Sequence, residues 1–563
     1  MAEYLHARRD RPVGEWEMAD MLSETLQYRL TPCIVGMLCT VVLTGCPNRL
    51  PTASFTGAPR TGPAPVTVYF ADTSDAGRAE IEAWAWTFGD GGTSASQHPT
   101  HTYQQPGTYT VSLTVATARG ENTHTEPGYI VVNGAEGEGE GEGEVYYVDK
   151  NHASASDANP GTQAAPWATL EHAAETAGPG ATVRIRAGVY NEQLFPQNSG
   201  TAGAPIVFTS HPGETAIIDG TGVSTSGNGV IIARDHIALR GLEVRSWDEN
   251  AVWVEEAAYV EISDCEIHDA AFGVGFGFGS HDFQVIRVVA HHFDLYGFDV
   301  SPSGGDACYN GVFTDCVAHT GRDPEQNVDG FALGHGDQHD FTLLRCTAYD
   351  VYDGFDISSQ DSTLDRCLAY NCLNGYKLWQ DNVRLVNCIG YGAQGANVEL
   401  DWDEEPGTVT LQNCTFFNAG TFGVWVENQG DSLHMYNCIV AGDDNIGLAF
   451  EQHNVSNYMG DYNLFHIDAG GRAIAVGYED EFSLSEVASG AWNTYSGQDA
   501  HSVTATDAEA IFVNAATHDL DLAAGSPAID AGTDTDAPAL DYAGNGRPQG
   551  AGYDIGAYEY AGR

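Results

Sequence analysis

Basic residues are scarce in this 563-residue chain: 23 Lys and Arg stand against 78 Asp and Glu, a formal net charge of −55 at pH 7. A surface of that sign repels nucleic acid and anionic membranes, which excludes both as direct partners. It also repels an acidic polysaccharide, unless bound cations or a saline medium neutralise and screen the charge. Long apolar runs are missing too: the stretch from Ile34 to Gly45 is 12 residues long, too short to cross a bilayer. No Ser/His/Asp arrangement, Gly-rich phosphate loop or paired-Cys metal signature is present, so the common hydrolase, nucleotide and zinc readings have nothing to rest on. With 42% hydrophobic residues and 66 glycines, the composition fits a β-rich, turn-rich protein.

What the chain does have is a drifting internal repeat. Tyr296-Gly297-Phe298-Asp299, Asp329-Gly330-Phe331-Ala332, Asp353-Gly354-Phe355-Asp356, Asn374-Gly375-Tyr376-Lys377 and Gly395-Ala396-Asn397-Val398 align on one pattern. A second pattern keeps step with it: Cys265, Val288, Cys316, Cys346, Cys367, Cys388, Cys414 and Cys438. Two motifs sharing one period of 20 to 35 residues signify a coil whose turns stack, a parallel β-helix. Residues at one phase of successive turns then lie about 4.8 Å apart. Asp299, Ala332, Asp356 and Lys377 form one column, and Asp329, Asp353 and Asn374 another, three residues earlier. Phe331, Phe355 and Tyr376, with Leu333, Ile357 and Leu378, should point inward, leaving Asp356 and Lys377 outside. Strict alternation would bury Asp329 and Asp353, so a corner is expected at each Asp-Gly, with glycine at positive φ turning the carboxylate outward.

In chain order, residues 1–46 read as an export leader. Leu43-Thr44-Gly45-Cys46 resembles the lipobox of bacterial lipoproteins, which implies lipidation at Cys46 and a cell-surface or outer-membrane location; an ordinary secretory signal is the alternative, and Met21 an alternative start. Residues 52–133, with Trp86-Thr87-Phe88-Gly89-Asp90-Gly91 and Pro106-Gly107-Thr108-Tyr109 before alternating strands, resemble the polycystic kidney disease (PKD) domain, an immunoglobulin-like β-sandwich. Residues 134–144 alternate Glu and Gly and should form an extended, self-repelling linker. The solenoid is expected over 145–505, opening with a strand and a short helix around Glu171 to Ala177 that caps the exposed end. Residues 506–563, through Ser526-Pro527-Ala528-Ile529-Asp530 and Asp554-Ile555-Gly556-Ala557-Tyr558-Glu559, resemble the C-terminal segment of surface β-helix proteins and are assigned as the closing cap. The whole chain is expected to act as a monomer.

The seven column cysteines should be buried, behaving as small hydrophobes, with adjacent-rung disulfides as the alternative in an exported protein. Three residues after each column position come His268, His291, His319, Tyr349, Tyr370, Tyr391 and Phe417, a stacked row that is either structural or a sugar platform.

Asp329, Asp353 and Asp356 sit one rung apart, with Lys377 on the next. Three clustered carboxylates call for a cation, and hard oxygen donors favour Ca²⁺. A lysine beside that ion loses some of its charged form, which frees an amine to act as a base. These segments resemble the family 9 polysaccharide lyases, right-handed parallel β-helix enzymes that act on pectate-like polymers. The resemblance implies Asp329, Asp353 and Asp356 as calcium ligands and Lys377 as the base of a β-elimination on an acidic polysaccharide. Where the family has paired acids before the second Gly, Tyr352 takes the first place; either Asp299 or Asn374 replaces the lost ligand, or calcium binds weakly. Asp401-Trp402-Asp403-Glu404-Glu405 offers a carboxylate pair for inverting glycoside hydrolysis or simply a solvated turn. A noncatalytic glycan-binding or adhesion solenoid is the second reading of the whole.

Overall fold

The computed structural model describes residues 51–560 and 562, apart from 52, 59–60, 64–65, 73, 75–80, 98, 106, 134–143, 224–226, 302–305, 323–326, 335–336, 402–406, 428–429, 444, 452–454, 469 and 478–479. The expected leader with Cys46, nearly all of the Glu/Gly linker, and Trp402, Asp403, Glu404 and Glu405 lie outside the described residues.

The N-terminal domain packs a three-stranded sheet (Phe55–Ala58, Val66–Asp72, Thr100–Tyr103) on a five-stranded one (Thr61–Pro63, Gly120–Asn133, Gly107–Thr117, Ile81–Thr87, Thr93–Ser94). Alternation along Gly107–Thr117 sends Val111, Leu113 and Val115 into a core shared with Val68, Trp86 and Phe88. The result is an immunoglobulin-like sandwich.

From Val145 onward the chain winds into a parallel β-helix of about 11 turns. One wall is a 13-stranded sheet running from Val145–Val148 to Tyr458–Asp461, and the other two walls form a continuous 23-stranded ladder. A representative turn passes from Thr342–Leu344 in the first wall to Thr347–Tyr349 in the second and Asp353–Ile357 in the third. Single left-handed residues make the bends. Asp264, Asp315, Arg345, Arg366, Asn387, Asn413 and Asn437 all have φ between 51° and 57° and directly precede the cysteine column. Asn and Asp tolerate this conformation through local polar contacts. The two arginines do so with carboxylate support: Arg345 Nε and Nη2 donate to Asp315 on the previous rung at 2.7 and 2.8 Å, and Arg366 donates to the adjacent Asp365.

Among the described residues, nine cysteines are free and buried, those of the column among them. Phe298, Phe331, Phe355 and Tyr376 stack face to face inside the third wall at centroid distances of 4.6, 4.9 and 5.1 Å. The expected aromatic row on the second wall runs unbroken from His268 through His291, His319, Tyr349 and Tyr370 to Tyr391. It stops before Phe417 because His518, from the C-terminal segment, stacks on Tyr391 instead.

Three expectations need correction. Gly330, Gly354 and Gly375 are not at positive φ. They are glycines because adjacent rungs approach closely there: a Cβ on each would meet the carbonyl oxygen of Gly354, Gly375 or Asn397 at 2.6–2.7 Å. The fifth repeat segment is one residue out of register, since Lys377 pairs with Glu399 and Tyr376 with Val398. The C-terminal segment is not the end cap. It lies along the second wall, where Ile511, Phe512 and Ile555 cover Ile389, Phe417 and Ile439. It is tied down by the bend asparagines: Asn387, Asn413 and Asn437 each donate to backbone carbonyls of residues 533–556. The far end of the coil is closed by two short helices, Leu484–Ala488 and Ala491–Ser496, whose Val487 and Trp492 join the main core. At the near end the helix is Leu170–Thr176, capped by Thr169, with Leu170, Ala173 and Ala174 in the same core.

The glycine column yields a stability prediction. Gly354→Ala forces a Cβ against the Gly375 carbonyl and is expected to destabilise by about 1–3 kcal/mol. Gly203→Ala, which meets nothing within 4 Å, should leave the melting temperature nearly unchanged. Equal melting temperatures for the two variants would show that rung spacing is not limiting at this column.

Candidate active site

The third wall carries the site because its outward column collects charge. Backbone register places Asp299 beside Ala332, Ala332 beside Asp356, Asp356 beside Lys377 and Lys377 beside Glu399, one rung at a time. Glu399 was hidden from the sequence alignment by the one-residue slip in the fifth segment. Asp356 is half-buried at the rim, whereas Lys377 is only 7% exposed, so its amine faces outward yet sits under cover.

The cover and the contacts come from neighbouring turns. Lys377 Nζ lies 3.2 Å from Asp401 Oδ2, 3.9 Å from Asp353 Oδ2 and 4.2 Å from the centre of the Trp379 ring. Burial alone would push the amine toward neutrality. The charges of Asp353, Asp356, Asp401 and Glu399 outweigh it and hold Lys377 well above the ordinary lysine range, firmly protonated while those carboxylates are uncompensated.

The expected outward turn of Asp329 and Asp353 does not occur: both are buried, and a hydrogen-bond relay between rungs is what makes their burial possible. Asp329 Oδ1 accepts from the Asp353 backbone N–H at 3.1 Å, Asp353 Oδ1 from Asn374 Nδ2 at 3.0 Å, and Asn374 Oδ1 from the Ala396 N–H at 3.1 Å. Asn327 Nδ2 closes the near end on Asp329 Oδ2 at 3.1 Å. Asp329 and Asn374 thus each satisfy a backbone N–H at the start of the next rung's strand, and Asp353 is held between them by the Asn374 amide, a need that neither Val nor Ala could meet. Burial, then the charges of Asp353 and Asp356, push the Asp329 carboxyl far up.

Of the predicted residues, Asp329, Asp353, Asp356, Asn374 and Lys377 are therefore brought together on three successive turns. Asp299 stands apart, two rungs from Asp356 or roughly 9–10 Å along the ladder. It accepts a hydrogen bond from the Ser301 hydroxyl, and burial raises its carboxyl to about 7. The residues sequence reasoning did not place at the site are Glu399, Glu427, Trp379 and Tyr296; Asp401, expected in a carboxylate pair for inverting hydrolysis or in a solvated turn, is instead buried beside Lys377. Among the described residues, Glu399, Asp401 and Glu427 are the carboxylates whose oxygens come within 4.8 Å of one another. Tyr296 pairs with Asp329 in register, and burial with the nearby charges of Asp329 and Asp299 raises its phenol. An all-oxygen donor set of this kind suits a hard cation such as Ca²⁺ and not a soft one.

Comparison with known proteins agrees with this architecture. A family model described as "Pel9A-like, right handed beta helix region" matches residues 146–458, and a PKD domain model matches residues 48–132. "Pectate lyase PEL9" of Emericella nidulans is 26% identical over 208 residues, 36% of this chain and 47% of that protein. "Uncharacterized protein YwoF" of Bacillus subtilis is 38% identical over 120 residues, 21% of this chain and 24% of that one. The chain thus spans less than half the length of these curated relatives. Among solved structures, the crystal structure of pectate lyase Pel9A covers 74% of this chain and 97% of its own, at 18% identity and a TM-score of 0.48.

Asp299 offers a pH test. Its carboxyl titrates at about 7 when folded, against about 3.9 in an unfolded chain. Between those values the unfolded state loses its proton first, so this group's contribution to stability is present below about pH 4 and lost as pH rises through 7. With chelator present, Asp299→Asn should gain melting temperature relative to the unsubstituted protein as pH climbs from 4 to 7. A difference independent of pH would remove Asp299 as a buried titrating group.

Proposed function

As a chain that belongs to the Pel9A-like right-handed β-helix family, this protein is, we propose, a calcium-dependent polysaccharide lyase that cleaves a uronic-acid polymer by β-elimination. The observation that carries the reading is Lys377: an outward-facing amine under cover on the third wall, set between the carboxylates of the turn before it and the turn after it. The pectate lyase named among the relatives supports the substrate class.

Asp329, Asp353 and Asp356 are the residues that would hold the ion, with Asn374 fixing the Asp353 carboxylate from behind; Glu399, Asp401 and Glu427, whose oxygens already lie within 4.8 Å of one another, are a second seat for it. When bound, calcium would neutralise the substrate carboxylate and so make the adjacent C5 proton more acidic. Asp401 and Trp379 hold the Lys377 amine in place, one by charge and one by its ring face. Once the surrounding carboxylate charge is compensated, burial becomes the dominant influence on Lys377 and favours the neutral amine that can accept a proton. Its Nζ then takes the C5 proton, the C4–oxygen bond breaks, and a C4–C5 double bond remains on the new end of the polymer.

A panel of uronate polymers, with and without chelator, tests the reading. Unsaturated ends absorbing in the ultraviolet are expected only with calcium, and Lys377→Ala should lower the rate by about 10²–10⁴-fold. Because uncompensated carboxylates keep Lys377 protonated, raising the pH to 10 should not rescue the chelated protein. Product formed equally with chelator or by Lys377→Ala overturns the proposal, and polymer binding without product identifies a noncatalytic glycan-binding solenoid.

The same reading places the protein outside the cytoplasm, where such polymers are met. Cys46 is the proposed lipidation site, so Cys46→Ser should move the protein from the membrane fraction to the soluble one. Retention in the membrane fraction would overturn the anchor.

A further inference from the structure

The second wall carries a cluster that the lyase reading does not use. We propose that His268, His291 and Glu266 form a binding site for a divalent transition metal of the zinc or copper class, on a different wall from Lys377.

The geometry is set by the ladder. His268 and His291 occupy adjacent rungs of one column, and their rings stack with centroids 4.7 Å apart and planes 5° apart. This brings their Nε2 edges side by side. One ligand atom from each of Glu266, His268 and His291 lies within 4.8 Å of the other two, and His291 Nε2 is 3.3 Å from Glu266 Oε1. A tetrahedral ion with bonds of 2.0–2.1 Å needs ligand separations of about 3.3–3.4 Å, so the pair already spans one tetrahedral edge.

Proton accounting points the same way. His268 Nδ1 faces Asp269 Oδ2 at 2.7 Å, and a carboxylate can only accept, so the ring proton sits on Nδ1. Nε2 then presents a lone pair, yet it faces Glu243 Oε1 at 3.4 Å. A metal ion bound on that side would meet the Nε2 lone pair together with the neighbouring carboxylates. The Nδ1–carboxylate contact is the arrangement that orients histidines toward bound metals. Glu243 is already held by Arg245 Nη1 at 2.7 Å, which leaves the fourth coordination position to water.

Register also explains why the site is confined to this stretch. The position two residues before this column is Glu243 on the Arg245 rung and Glu266 on the His268 rung, then Val289 on the His291 rung and Val317 on the His319 rung, so the carboxylates stop at the first histidine pair. His319 continues the stack, but its Nδ1 faces the Thr320 hydroxyl at 2.8 Å where His268 faces a carboxylate. Imidazole ligands select zinc, copper or nickel over calcium, so excess calcium should not compete.

The test uses the full chain, stripped with chelator and equilibrated with Zn²⁺ in excess Ca²⁺, with bound metal measured after dialysis. One tight equivalent is expected. Glu266→Gln, whose side chain is mostly exposed, should keep the melting temperature and lose at least about 10-fold in zinc affinity. Asp269→Asn, which suits the left-handed φ of 56°, should lose about 10- to 100-fold through misorientation of His268. With Cu²⁺, electron paramagnetic resonance should show two nitrogen ligands, reduced to one in His291→Ala. Lys377→Ala should keep the full zinc equivalent, which separates this proposal from the lyase reading. No zinc uptake by the stripped protein, or an undiminished site in Glu266→Gln and His291→Ala, overturns it.

Discussion

The close approach of successive backbones at the glycine column is the constraint on which the rest of the solenoid depends. Gly297, Gly330, Gly354 and Gly375 each face the carbonyl of the next rung at a distance that excludes a Cβ. That spacing pins the third wall in register, and register in turn decides which side chains meet. Because the side-chain period along a strand is two, a slip of one residue would exchange the Phe331, Phe355 and Tyr376 stack with the charged column outside it. The apolar stack and the charged face are therefore two sides of one arrangement.

Charge on that face is managed by distributing it between hydrogen-bonded and ion-paired roles. Asp329 and Asp353 are spent partly on backbone N–H and Asn374 donors, which lets carboxylates lie under cover. Asp401 and Glu399 stand beside Lys377 from the following turn. Such a centre is poised between two states: with its carboxylates uncompensated the lysine is locked as a cation, and with their charge neutralised its burial acts in the opposite direction. The chain's net charge of −55 makes the same point at larger scale, since an acidic wall meets an acidic polymer only through cations.

Other columns apply the same stacking to different ends. The cysteine column fills the inner corner with small buried thiols whose Sγ atoms face backbone carbonyls, as Cys316 does with Val285 at 3.3 Å. The asparagines just before it, at Asn387, Asn413 and Asn437, turn the chain in the left-handed conformation and also hold the C-terminal segment against the second wall. The buried Arg547–Glu559 pair, at 2.7 Å with both side chains fully covered, locks that segment internally. A buried pair of this kind is costly to break from one side, because the remaining charge is left without compensation.

The sequence by itself determined the solenoid, its pairing of columns and the core of its acidic face. A repeating Gly-aromatic pattern and a parallel cysteine pattern can be satisfied together only by stacked turns, so the meeting of Asp329, Asp353, Asp356 and Lys377 could be read without coordinates. The sandwich was equally legible from its turns and alternating strands. Tertiary structure alone decided the rest. The fifth repeat lacks the glycine at the matching position, where Asn397 stands instead, so its register and hence Glu399 were out of reach. Asp401 and Trp379 approach Lys377 from strand ends that carry no repeat. The depth of Lys377 under its neighbours, and the state of its proton, are sums over side chains distant in the chain, a quantity no local pattern encodes. The C-terminal segment likewise finds its place through hydrogen bonds from asparagines about 100 to 150 residues earlier, fixed by the folded wall and by nothing in its own sequence.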